Sequence, residues 1–320
     1  MLVPVLRVGC LACLFLYGAA ELRAQAQKTP PATFRTSTQM VLIPLTVTDQ
    51  NGRAVEGLQA KDFAVFDNSV AQPIVSLTSE DLPFSAGLVL DISGSMRLSM
   101  DATKDAARTF LETANPDDEF LLLTVSTLPA ATPEFTTETV ALEDSIGAAR
   151  PGGLTALIDT VYLGLNQMRK ASHGQRALVI LSDGIDNHSQ YSRNELLRLA
   201  LEADVQIYTV IMDNGARGAQ TNTVPFRPVM IRKPGDPGPE QQGPKLLEEL
   251  ADKTGGLSFH ARNDAQAKDA MMKAGRALRT QYVIGYRMPD SGAPGKWHQV
   301  RVKSTAAKVH IHARSGYYAP

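Results

Sequence analysis

Four short, almost wholly apolar runs separated by amphipathic segments constrain this chain more than any other feature: Leu88–Leu90, Phe120–Val125, Ala177–Leu181 and Val205–Ile211. A strand with one wet face alternates polar and apolar residues, whereas a strand covered by helices on both faces does not. The runs therefore predict a parallel sheet within an α/β layer structure. Between them the apolar spacing turns helical. Ala102, Ala106 and Phe110 share one face with Ala107 and Leu111 beside them. Leu246, Leu247, Leu250 and Ala251 form a second stripe, and Ala267, Ala270, Met271, Ala274, Ala277 and Leu278 a third. Ser192 followed by Glu195 is a capping box opening a helix that carries Leu196, Leu197 and Leu199. All of these stripes are expected to be core.

The flanks are β in character. Met40–Thr48 precedes the turn Asp49-Gln50-Asn51-Gly52, and short pieces at Ala60–Phe66 and Ile74–Leu77 follow. After a helix ending near Gln281, Tyr282–Tyr286, Trp297–Ser304 and Val309–Ala313 return to β. Each flank holds too few strands to bury a face alone, so the two are expected to pair. The predicted fold is a doubly wound, mostly parallel α/β sheet inserted in a small β-sandwich-like domain formed by N- and C-terminal strands. The expected boundaries are a leader at 1–26, a polar linker at 27–38, a β segment at 39–82, the α/β domain at 83–281, and a C-terminal β segment at 282–320 pairing with 39–82. Within the α/β domain, 214–243 is crowded with Gly and Pro and reads as a long loop.

The leader combines Arg7, the apolar stretch Val8–Ala20 and an A-x-A cleavage site at Ala24-Gln25-Ala26. Its run of about 13 residues is too short to span a bilayer. A secreted or periplasmic location follows, with no stable membrane insertion after cleavage. Both cysteines, Cys10 and Cys13, lie inside the leader, so a mature chain has no thiol for catalysis or zinc. The net charge of −1, from 32 basic and 33 acidic residues, leaves no cationic excess to neutralise phosphates, which argues against nucleic acid as a partner.

One buried run ends Leu88-Val-Leu-Asp91-Ile-Ser93-Gly94-Ser95, placing a carboxylate at the carboxyl end of a strand with hydroxyls two and four residues on. Open α/β sheets bind ligands at that edge. A turn at Gly94 can gather the three oxygens, a donor set suited to a hard cation. Gly152-Gly153-Leu154-Thr155 leads into a helix with a hydroxyl at its start, and Ser182-Asp183-Gly184 ends another buried strand on a carboxylate. The plainer alternative is that the hydroxyls cap helices and the carboxylates are solvated strand ends.

Asp-x-Ser-x-Ser with a distant Thr and a strand-end Asp resembles the metal-ion-dependent adhesion site of von Willebrand factor type A domains, a Rossmann-like α/β fold. The resemblance runs from about Ser85 to Gln281. The stretch Val47–Phe63, Tyr282-x-Ile284-Gly-Tyr286 and Arg314-x-Gly316-Tyr317-Tyr318 are similar to a secreted bacterial von Willebrand factor A-related family. The resemblance implies that Ser93 and Ser95 ligate the metal directly, Thr155 in at least one state, and Asp91 and Asp183 mainly through waters. It implies Mg²⁺, with Mn²⁺ or Ca²⁺ as alternatives, and a partner protein that supplies an Asp or Glu to the open position. The expected function is a metal-dependent protein-binding module for adhesion or envelope assembly, not an enzyme. The alternatives are a metal-assisted hydrolase and a structural envelope protein whose metal stabilises the fold.

Other residues are weaker candidates. Ser95 lacks a Gly-x-Ser-x-Gly elbow because Arg97 takes the last position. Asp117 with Asp118 reads as a solvated turn, Asp186 as a turn carboxylate near the rim, and His188 as a loop histidine. His310 and His312 alternate on one face of a terminal strand, as solvent-facing residues do.

Overall fold

The structure is a computed structural model that describes residues 39–213, 239–289 and 294–319. The leader at 1–26, the linker at 27–38 and most of the 214–243 segment lie outside the described residues. Among the described residues no helix is long and apolar enough to cross a membrane.

The strands are β1 (Met40–Thr48), β2 (Phe63–Asp67), β3 (Val70–Gln72), β4 (Ile74–Thr78), β5 (Phe84–Asp91), β6 (Glu119–Val125) and β7 (Ala130–Ala131), followed by β8 (Gln175–Ser182), β9 (Gln206–Met212), β10 (Ser258–Ala261), β11 (Tyr282–Arg287), β12 (Trp297–Ser304), β13 (His310–Ala313) and β14 (Gly316–Tyr318). The helices are α1 (Met100–Leu111), α2 (Thr139–Ala148), α3 (Leu157–Gln167), α4 (Arg193–Glu202), α5 (Pro239–Thr254) and α6 (Asp264–Arg279).

The central sheet has six strands in the order β10-β9-β8-β5-β6-β7, parallel except for the short edge strand β7. Every residue of β5 is buried, as a strand between two helical layers requires. One layer packs α1 and α6, with Leu142 and Ile146 of α2, against Phe84, Leu88, Phe120 and Tyr208. The other packs α3, α4 and α5 against Val89, Leu121, Leu178 and Ile207. The chain enters at β5, steps to β6 on one side and crosses back to β8 on the other, so the strand order reverses beside β5. A crevice at the carboxyl ends of β5 and β8 follows from that reversal.

The flanking strands form two four-stranded antiparallel sheets, β13-β1-β11-β4 and β14-β12-β2-β3. Their facing sides share a core of Ile43, Leu45, Val65, Ile284 and Val300. Both sheets mix strands from before and after the α/β domain: β1 pairs with β11 and β13, and β2 with β12. A buried polar cluster ties the sandwich across its core. Asp67 accepts hydrogen bonds from Tyr286 Oη (2.9 Å) and Tyr317 Oη (2.8 Å), and its Oδ1 lies 2.8 Å from His298 Nδ1.

Several elements differ from the sequence expectation. Residues Ala60–Asp62 form a 3-10 turn before β2. Helix α5 starts at Pro239, inside the breaker-rich stretch, because a proline at the first helical position lacks only an N–H that has no partner there anyway. His312 is partly buried against Thr48 Oγ1 (3.0 Å), and burial lowers its pKa.

Candidate metal centre

The five positions singled out in the sequence all fall at the carboxyl edge of the central sheet. Asp91 is the last residue of β5 and is fully buried. Its Oδ1 accepts a hydrogen bond from the Ser93 N–H (2.9 Å) and its Oδ2 one from Ser182 Oγ (2.5 Å). Ser93 is buried and stands at the start of a 3-10 turn over Gly94–Leu98, which carries the exposed Ser95 round so that the two hydroxyl oxygens lie 3.0 Å apart. Three oxygen side chains from five residues thus meet at one spot.

Thr155 reaches the same edge because backbone bonds stitch its loop to two others. Gly152 N–H donates to Ile92 O (2.8 Å) and Gly94 N–H to Gly153 O (3.1 Å), which joins the 152–155 loop to the serine turn. Asn187 and His188 N–H groups both donate to Thr155 O (3.0 Å each), and Thr155 N–H donates to Asn187 Oδ1 (2.9 Å). Gly153 makes the turn possible: its φ is +78°, and a Cβ there would stand 2.6 Å from Thr127 Oγ1. Asp183 follows β8 directly and is largely buried, with Oδ1 accepting from Ile185 N–H (3.0 Å).

The electrostatics single out Asp91. Burial pushes its carboxyl up to about 6, with the charge of Asp183 adding to the rise, while hydrogen bonds from Ser182 and Ser93 work against it. The hydrogen-bond donors on both oxygens are neutral groups. A cation at this edge would relieve the desolvated negative charge. Among the described residues no group of three or more His, Cys, Asp or Glu side chains could hold a metal. The fit therefore rests on hydroxyl oxygens joining two carboxylates, a donor set for a hard ion rather than a soft one.

Three nearby residues carry structural roles that the sequence pattern missed. Ser182 braces Asp91 and also accepts the Gly184 N–H (2.9 Å). Asp186 is no loose turn carboxylate: its Oδ2 accepts Ile158 N–H (2.9 Å) and Ser189 Oγ (2.5 Å), capping the start of α3 from a neighbouring loop. Asp159 of α3 answers by accepting the N–H groups of Gln190 and Tyr191. Such caps join residues distant in sequence, and no local pattern announces them. His188 is exposed on the same loop.

Asp118 corrects an expectation. It is buried rather than solvated, at the opposite, amino edge of the sheet, where it accepts Phe84 N–H (3.1 Å) and Asn115 N–H (2.6 Å) and pairs with Arg279. The salt bridge draws it in.

Residues 87–185, the span from β5 through Asp183 that holds all five positions, match the family model described as von Willebrand factor type A domain. Over that span the chain is similar to von Willebrand factor type A domains. An uncharacterized protein of Borreliella burgdorferi is 25% identical over 212 residues, 61% of this chain and 60% of the relative, so the match spans less than two thirds of either. A solved von Willebrand factor type A protein from Catenulispora acidiphila is similar over 89% of this chain and 75% of its own, at 13% identity and a TM-score of 0.49. Proximal thread matrix protein 1 from the mussel byssus, solved with a zinc-occupied MIDAS motif, is similar over 66% of this chain and 49% of its own, at 12% identity and a TM-score of 0.46.

Proposed function

We propose that this type A domain is a secreted or periplasmic protein-binding module that captures an acidic side chain of a partner through a divalent cation, Mg²⁺ first, at the β5–β8 edge. Ser93, Ser95 and Thr155 would hold the ion directly, and Asp91 and Asp183 mainly through waters. When bound, the ion supplies an electrophilic position for a carboxylate oxygen. The observation that carries the reading is the buried Asp91 carboxylate, braced only by neutral donors and joined to a pair of hydroxyls 3.0 Å apart. Because most of the donors are neutral, positive charge would remain for a partner's carboxylate. The reading is of binding rather than catalysis. A hydrolase needs a general base beside the ion; Asp186 is committed to the α3 cap, Asp118 lies at the far edge of the sheet, and His188 is an exposed loop residue tied to the site by its backbone N–H.

The long segment after β9 is proposed to add contact area beside the ion. Residues 214–238 lie outside the described residues, but further along Gly243 packs so tightly on the loop after β8 that a side chain there would collide with the Gly184–Ile185 peptide.

The test is capture from an envelope extract on the immobilised chain. Retention should require Mg²⁺, be reversed by EDTA, be blocked by excess poly-glutamate peptide, and vanish in Asp91→Ala. Capture indifferent to EDTA and to that substitution would sink the proposal. A thermal gain from Mg²⁺ without any capture would favour a metal that only stabilises the fold.

A further inference from the structure

At the other end of the domain, where the amino edge of the central sheet meets the β1-containing sheet of the sandwich, lies a cavity of about 680 Å³. That volume is in the range of small-molecule sites, which favour junctions between domains. Its apolar wall includes Leu42, Pro44, Leu82, Pro83, Leu201 and Val283. Leu42 and Leu82 are 54% and 48% exposed, which is costly for large apolar side chains beside an open cavity.

The polar side of the cavity is incompletely bonded. Among the described residues, four buried side-chain polar atoms lack a hydrogen-bond partner, and three belong to residues lining this cavity: Arg176 Nε, Arg314 Nε and Gln281 Oε1. Buried polar groups without partners are rare and unfavourable, and three of the four belong to residues around this one cavity. Both guanidinium groups gather around Asp204. Arg314 Nη1 is 2.6 Å from Oδ1 and Arg176 Nη2 3.9 Å from Oδ2, while Arg314 Nη2 donates to Leu42 O (3.2 Å). With Lys253 and Glu80 also lining the cavity, the count of these charged residues is three cationic against two anionic. An unpartnered Nε–H is one half of the fork with which arginine grips a carboxylate. Gln281 is only 3% exposed, and its Nε2 donates to Gln206 Oε1 and to Tyr208 Oη (3.2 Å), which leaves Oε1 as an acceptor.

We infer that this cavity binds a small amphipathic carboxylic acid that carries an N–H or O–H donor: the carboxylate on Arg176 and Arg314, the donor on Gln281, and the apolar body along Leu42, Leu82 and Leu201. The site is independent of the metal edge. It does not rest on the function proposed for that edge.

Titration calorimetry of the full chain with N-decanoylglycine, below its micelle threshold, tests the inference. The probe supplies an apolar chain, an amide N–H and a carboxylate. Saturable one-to-one binding is expected, unchanged by EDTA, with the neutral methyl ester at least tenfold weaker. Arg176→Gln should lose at least tenfold in affinity. Leu201→Trp, which fills the cavity from α4 and keeps both arginines, should lose as much, with circular dichroism confirming that each variant is folded. An absence of saturable binding would mean that water alone satisfies the three atoms. Equal binding of acid and ester, or undiminished binding in either folded variant, would equally overturn the inference.

Discussion

Two buried carboxylates, Asp91 and Glu119, sit at opposite edges of the same sheet and have opposite electrostatic fates. At the amino edge, burial pushes the Glu119 carboxyl up, but hydrogen bonds from Ser85 Oγ (2.7 Å), Ser172 N–H (2.6 Å) and Ser172 Oγ (3.0 Å), helped by the charge of His173, outweigh it and hold the group below its ordinary value. Next to it, Asp118 is paired with Arg279. At the carboxyl edge Asp91 is deeper, has only the neutral donors of Ser93 and Ser182 and a second carboxylate nearby, and its pKa rises. The same chemical group is completed by the protein in one place and left wanting positive charge in the other. Completion marks a structural carboxylate, and incompleteness marks a site.

The comparison breaks most visibly at Asp118. Asp118→Ala leaves Arg279, whose side chain is 14% exposed, without its buried partner and orphans the Phe84 and Asn115 N–H groups. A loss of about 3–5 kcal/mol is expected in urea denaturation, because the buried Phe84 N–H loses its acceptor and Arg279 keeps only the exposed Asp81 and Thr113 O as partners.

Asp91 should behave in the opposite sense. Its folded pKa lies above the unfolded value of 3.8, so the folded state binds the extra proton between about 4 and 6. In metal-free protein the charged carboxylate therefore costs stability above pH 6, by roughly 3 kcal/mol for a shift of this size, and the cost is relieved as the pH falls through that window. For Glu119 the sign reverses: its contribution is present above the unfolded pKa and is lost as the pH falls through the depressed folded value. Asp91→Asn should flatten the first dependence without touching the second. Chemical denaturation of both proteins in EDTA from pH 8 to pH 4 measures this, and parallel curves would break the comparison.

The smallest expected effect concerns the loop that delivers Thr155. Gly153→Ala forces a side chain into a left-handed turn beside Thr127, at a cost of about 1 kcal/mol or somewhat more. It should also weaken divalent-ion binding, since the loop positions Thr155, a proposed ligand. Lost stability with unaltered ion affinity would show that Thr155 is dispensable.

The sheet and the placement of the five candidate positions at its carboxyl edge were legible in the sequence for a physical reason. Strands buried on both faces carry uninterrupted apolar runs, and a residue that ends such a run must emerge at the sheet edge, as Asp91 and Asp183 do. What escaped is what depends on neighbours distant in sequence. Ser182 matters because β5 and β8 align so that Leu90 stands opposite Leu181, which brings the next residues, Asp91 and Ser182, together. Asp118 reads as a turn residue until α6 brings Arg279 to it, and Asp186 until α3 presents its orphan N–H groups. The start of α5 was hidden because Gly243 and Pro244 lie within its first turns and read as breakers, while Pro239 at the first position is compatible with a helix start.

The central claim is that the carboxyl edge, and not the amino edge, is built to hold a cation. Titration calorimetry of the full chain with Mg²⁺, with Mn²⁺, Ca²⁺ and Zn²⁺ as comparators, tests it most directly on wild type, Asp91→Ala, Asp183→Ala and Glu119→Gln. One ion should bind to wild type and to Glu119→Gln with similar affinity, and binding should vanish in both aspartate variants while circular dichroism stays native. Unchanged affinity in Asp91→Ala and Asp183→Ala would contradict the account.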